Sequence, residues 1–140
     1  MRFIILSRND VAQGRLPAEP FVWLSFHDFD KDPPTSPKGL NVFNCVRRLC
    51  LQVDDSIPGP NVSDYETVFN VGHAARVIGL YEAAKDQGIN VFVCQCEAGL
   101  SRSAGAAAAL CVIDGQDDSW IYKTKHPNVH IKSTILEVAR

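Results

Sequence analysis

Apolar positions in this chain come in short blocks, and the polar stretches between them carry its prolines. "RFIIL" (2–6) is a block of strand length that gives way to "SRND", a turn or helix start. "FVWLSF" (21–26) is a second strand, entered after Pro17 and Pro20. The polar, proline-rich "HDFDKDPPTSPKG" (27–39) reads as a surface loop. In "VRRLCLQV" (46–53), Leu49, Leu51 and Val53 alternate with other residues as in a third strand, which runs into the loop "DDSIPGPNVSD". Val68, Val71, Ala75 and Ile78 then recur at helical spacing. Ser63 or Asp64 is the expected N-cap of that helix and Gly88 its stop. "INVFVCQ" (89–95) is almost continuously apolar, as a central parallel strand buried on both faces must be. The small-residue helix "SAGAAAALCVI" (103–113) can pack close to a sheet, and shorter helices are expected near 117–123 and 129–138. The alternation predicts one α/β domain over residues 1–140, with a mostly parallel sheet and helices on both faces.

Composition narrows this picture. The chain has 140 residues, 46% of them hydrophobic and 21% charged, the make-up of a globular protein with room for one real core. A formal charge of −2 offers no footprint for a polyanion, so nucleic acid is not an expected partner. No apolar run has the length needed to cross a bilayer, and "MRFIIL" is too soon polar for a signal peptide, so no membrane association is expected. Five cysteines, an odd count without paired spacing, suggest a reducing, cytoplasmic setting. His27, His73, His126 and His130 show no metal-ligand spacing, and neither a nucleotide fingerprint nor a Gly-Lys-Ser/Thr loop is present. No metal or cofactor is implied.

The chemistry concentrates in "VCQCEAGLSRSAG" (93–105), where a buried strand passes through a short loop into a helix. Gly99 allows the loop to curl so that the backbone amides of Glu97, Ala98, Gly99, Leu100, Ser101 and Arg102 line one concavity. The helix beginning near Ser101 adds its own unpaired amides and positive dipole end, which suits a tetrahedral dianion. Cys96 lies at the floor, where that potential favours the nucleophilic thiolate. Arg102 can hold two phosphate oxygens with its planar fork, and Ser103 can donate its hydroxyl to the sulfur. A nucleophile, an anion cradle and a bidentate clamp point to phosphate-ester cleavage through a phosphocysteine.

"CEAGLSR" followed by serine resembles the Cys-(six)-Arg-Ser/Thr loop of the cysteine-dependent protein tyrosine and dual-specificity phosphatases. It is most similar to the small single-domain bacterial and phage members. The resemblance extends over the strand into "VDD", the long helix, "VFV" and the closing "HPN" helix, and more loosely over the first two strands. It implies a short parallel sheet between helices and a phosphorylated protein or peptide as substrate; nothing in it fixes an oligomeric state. One position departs: where such proteins usually carry histidine before the nucleophile, this chain has Gln95, which hydrogen-bonds but carries no charge.

The resemblance also implies a general acid from a loop after the preceding strand. Asp54 and Asp55 stand at such a strand end, and by alternation one turns toward the sheet and the other toward the loop. Asp55 is favoured, as the second acidic residue. It lies 41 residues before Cys96, whereas Asp64 lies 32 before it, nearer the usual separation, in a context that suits a helix cap. Glu97 is expected either to orient Arg102 or the backbone or to be a solvated acid. Cys94 shares a side of its strand with Cys96 and is read as core ahead of a redox partner. Cys45 and Cys50 have the same two readings, with Cys50 the more buried, and Cys111 is helix core. Two other functions remain open: a rhodanese-like sulfurtransferase, which also uses a basal cysteine, and a non-catalytic phosphate-binding module, for which Gln95 is the motive.

Overall fold

A computed structural model describes residues 1–35, 42–56, 58–60 and 67–140. Its elements run β1 (Arg2–Ser7), α1 (Arg8–Ala12), β2 (Phe21–His27), β3 (Cys45–Gln52), α2 (Val71–Asp86), β4 (Val91–Cys96), α3 (Arg102–Ile113), α4 (Ser119–Tyr122) and α5 (Val129–Val138). The four strands form one parallel sheet in the order β1-β4-β2-β3. Parallel pairing needs a crossover between strands: α1 lies in the connection from β1 to β2 and α2 in that from β3 to β4. It also brings the carboxyl ends of all four strands to one edge, where open α/β sheets bind ligands.

The two faces of the sheet are covered unequally. On one, Phe3, Val22, Leu24, Phe26, Leu51, Phe92 and Cys94 pack against α2, α3 and α5 in the main core. On the other, Leu6, Phe21, Trp23, Val91 and Val93 form a smaller cluster with Val11 of α1 and Leu16 beyond it. β4 is buried along its whole length, which explains its unbroken apolar run. In α3 every residue from Arg102 to Cys111 is buried. Alanine fits there because it loses no side-chain freedom and lets the helix lie close to both the sheet and α5.

The long helix starts later than its apolar spacing suggests. Asn70 is the N-cap: its side chain accepts from the His73 amide at 3.1 Å, and the His73 ring returns a bond to the Asn70 amide at 3.0 Å. Thr67 to Phe69 are irregular, so Val68 precedes the helix. Ser63 and Asp64, the expected caps, lie outside the described residues. Asn-x-x-His closes the first turn as a Ser-x-x-Glu box does, with a ring nitrogen as acceptor.

Candidate active site

The loop of residues 97–101 joins β4 to α3 at the carboxyl edge of the sheet. Cys96, only 2% exposed, ends β4, and its Sγ lies 3.1 Å from Oγ of Ser103 in the first turn of α3. Gly99 adopts φ 67°, and a Cβ there would stand 2.8 Å from the Ser7 amide nitrogen. Both the backbone angle and the close approach to the end of β1 therefore demand glycine.

The loop's carbonyls are drawn outward. Arg8 N–H donates to the Glu97 carbonyl at 3.0 Å, His126 N–H to Leu100 at 2.9 Å and Asn128 N–H to Ser101 at 3.0 Å. In a trans peptide the C=O and the following N–H point opposite ways. The N–H groups of Ala98, Ser101 and Arg102 are thus turned away from these partners, and no acceptor among the described residues takes them. Ser101 is the N-cap of α3, yet its hydroxyl makes no capping bond and the helix's first amides stay uncapped. Free amides beside a helix N-terminus are what an anion cradle needs.

Arg102 is held from behind. Its Nη1 donates to the Val53 carbonyl at 2.8 Å and to Asp28 Oδ1 at 2.6 Å. Both bonds use one nitrogen, so the Nε–Nη2 edge keeps the geometry for two oxygens of a phosphate. Asp28 was not singled out in the sequence: it is one of three acids in "HDFDKD", and nothing local separates it from Asp30 or Asp32.

The acids at the end of β3 face different ways. Asp54 is buried and turned away from the loop, accepting from the Thr67 amide at 2.7 Å while its own amide donates to Thr67 O at 2.9 Å. Asp55 is exposed and leans on the loop: its Oδ1 accepts from Ser101 Oγ at 2.8 Å and from Asn128 Nδ2 at 3.0 Å. Asn128 also caps α5, its Oδ1 accepting from the Ile131 amide at 2.9 Å. Gly105 makes room for it, since a Cβ there would meet Asn128 O at 2.6 Å. Asn128 reads in the sequence as punctuation before a helix, and its cap signal says nothing of the bond to Asp55. The third candidate acid, Asp64, lies outside the described residues.

Glu97 does not touch Arg102. Its carboxylate bridges Arg8 Nε and Lys31 Nζ, each at 2.9 Å, tying the loop to α1 and to the segment after β2. Burial pushes its carboxyl up, and the bonds from Lys31 and Arg8 outweigh that and hold it below the usual range. Gln95 is fully buried under the loop, accepting from Ser25 Oγ at 2.6 Å and donating from Nε2 to the Cys96 carbonyl at 2.9 Å.

The other cysteines are free thiols, with Cys94 and Cys111 buried and both Cys45 and Cys50 half-buried. Burial drives the Cys94 thiol well up, and burial together with nearby Asp118 and Asp114 pushes Cys111 up to about 11, so both are inert as nucleophiles. Among the described residues, no three His, Cys, Asp or Glu side chains cluster as metal ligands. No helix among them is long and apolar enough to cross a membrane.

No protein-family model matches the chain, and no curated protein does. Solved structures do. A human tyrosine phosphatase-like serine/threonine/tyrosine-interacting protein is similar with a TM-score of 0.60 at 15% identity, over 96% of this chain and 89% of its own. Human DUSP28 gives 0.59 at 17%, over 98% and 90%. PTPMT1 in complex with PI(5)P gives 0.55 at 12%, over 97% and 86%. At these identities the likeness establishes a shared fold: a four-stranded parallel sheet between helices, as in the tyrosine and dual-specificity phosphatases.

Proposed function

We propose that this protein is a phosphomonoester hydrolase of the protein tyrosine or dual-specificity type, with Cys96 as nucleophile. What carries the reading is the convergence on one loop of a buried thiol, a guanidinium whose outer edge has no partner among the described residues, amides without an acceptor among them, and a carboxylate tethered at the rim. The Cys96 thiolate attacks phosphorus and the P–O ester bond breaks. The leaving oxygen takes its proton from Asp55, which Ser101 and Asn128 hold beside the loop. Water then attacks the phosphocysteine, Asp55 takes its proton back, and inorganic phosphate leaves as the Ser103 hydroxyl steadies the departing thiolate. Arg102 and the loop amides bind the charge that gathers on the equatorial oxygens.

Asp55 is favoured over Asp54 because Asp54 spends its carboxylate on the backbone of Thr67. A sulfurtransferase has no use for Arg102 clamped behind the loop or for an acid at its rim. A binding module would keep the cradle and lose turnover. One assay separates the three: wild-type protein with an aryl phosphate, a phosphotyrosyl and a phosphothreonyl peptide, and thiosulfate with cyanide. Phosphate release from the aryl phosphate and the phosphotyrosyl peptide, with none of the thiosulfate reaction, supports the reading, and release from the phosphothreonyl peptide as well marks dual specificity. Tight phosphopeptide binding without release overturns it in favour of a binding module.

A further inference from the structure

Under the loop, Gln95 belongs to a buried polar chain that begins on another strand. Arg48 of β3 donates from Nη2 to Ser25 Oγ at 3.1 Å; Ser25 of β2 donates to Gln95 Oε1 at 2.6 Å; Gln95 of β4 donates to the Cys96 carbonyl at 2.9 Å. The chain thus crosses three adjacent strands and ends on the peptide that follows the candidate nucleophile. Ser25 and Gln95 are wholly buried. Arg48 is fixed on two further sides, stacked 3.6 Å from the centre of the Trp23 ring and bonded to the Pro34 carbonyl at 2.8 Å.

This arrangement is costly. Burial lowers the Arg48 pKa; among the described residues its ionisable neighbours are the thiols Cys50 and Cys45 and the cation of Arg8, with no carboxylate to offset the charge. Its Nε is buried without a partner among the described residues. A partly desolvated cation with an unpartnered buried Nε costs stability, so the arrangement points to a task. The bonds also have a direction. The Cys96 carbonyl can only accept, so Gln95 must aim its NH2 at it and turn its Oε1 to Ser25, whose hydroxyl donates there while its lone pair takes the Arg48 donor. That carbonyl sets the orientation of the Glu97 amide on the other side of the same peptide.

Resting on the phosphatase reading of Cys96, we propose that Arg48, Ser25 and Gln95 are positioning residues for the nucleophile. Together they lock the peptide at the mouth of the loop with a permanently charged anchor one serine away. A glutamine amide suffices before the nucleophile because Ser25, itself held by Arg48 of β3, fixes its orientation.

The test compares Arg48→Met, Arg48→Lys and Ser25→Ala with the wild type by two measurements. One is kcat and KM on an aryl phosphate. The other is the rate at which iodoacetamide alkylates Cys96 without substrate, located by peptide mass spectrometry. Arg48 is only half-buried on an edge strand, so its variants should fold, and near-ultraviolet circular dichroism verifies this. Arg48→Met and Ser25→Ala should lower kcat roughly 10- to 100-fold with little change in KM, the scale of a small misplacement of reacting groups. Alkylation should slow in parallel, and Arg48→Lys, which keeps a charged donor, should recover most of both. A wild type that alkylates at Cys96 but hydrolyses nothing sinks the phosphatase reading, while the alkylation series still reads the positioning. If folded Arg48→Met and Ser25→Ala match the wild type in kcat and alkylation rate, the chain is structural and the proposal falls.

Discussion

The two faces of the sheet are made by the same strands and do different work. Toward α2, α3 and α5, every second residue of β2 and β4 is apolar to the strand ends, from Val22 to Phe26 and from Phe92 to Cys96. Toward α1, the apolar pattern begins with Phe21, Trp23, Val91 and Val93 and then breaks: the next residues are Ser25 and Gln95, buried as completely and wholly polar. The break comes where the strands meet the loop. A uniform core holds the helix that carries Arg102 and Ser103, and the interrupted face holds the backbone of Cys96. Stability resides chiefly in the first and orientation of the site in the second.

The sharpest way to break that division is to remove the chemistry and keep the cradle. Cys96→Ser should reduce hydrolysis to background while tungstate or phosphate still binds, because the cradle is backbone and Arg102; equilibrium binding beside initial rates would show it. Next in size, Asp55→Asn should slow a poor leaving group such as an alkyl phosphate by roughly 10²–10⁴-fold and an activated aryl phosphate by less. A leaving-group-independent loss would mean that Asp55 only braces Ser101 and Asn128.

Leu110→Ala tests the other face. Leu110 is fully buried in the main core, and its truncation should cost about 2–5 kcal/mol in denaturant unfolding. The kcat of the folded variant should be unchanged; a large fall would dissolve the division. The smallest effect is expected far from the loop, at Asp114. Burial works against its carboxylate, yet bonds from Tyr81, Gln116 and Lys85 bring it down to about 2 from 3.8. A depressed carboxylate stabilises the fold above its unfolded value and loses that contribution as pH falls from about 4 to 2. Asp114→Asn should therefore cost about 2 kcal/mol at neutral pH and flatten the stability loss across that acid window, with turnover intact.

Much of this was legible in the chain. The strand cores, the alanine helix and the loop from Cys96 to Arg102 follow from periodicity and from residues whose geometry is local. Gly99 sits where a curl needs it, and alternation at the end of β3 separates Asp54 from Asp55. What escaped was pairing over long separations: Asp28 with Arg102, 74 residues apart, Asn128 with Asp55, 73 apart, and Ser25 with Gln95, 70 apart. No window of sequence contains both partners, and each residue alone has an ordinary reading as loop acid, helix cap or strand serine. The start of α2 was misjudged for a related reason. Val68 falls on the helical spacing by coincidence, while the Asn70–His73 box that sets the boundary uses a histidine where glutamate is the familiar signal.

The central claim is that Cys96 becomes covalently phosphorylated. Wild-type protein mixed with an aryl phosphate, quenched in acid within the first turnover and digested, should yield a phosphate adduct on the peptide bearing Cys96. That adduct should build up further in Asp55→Asn, where Asp55 no longer activates the hydrolytic water, and be absent from Cys96→Ser. Steady hydrolysis by the wild type with no adduct at any quench time, or with equal turnover in Cys96→Ser, would contradict the account.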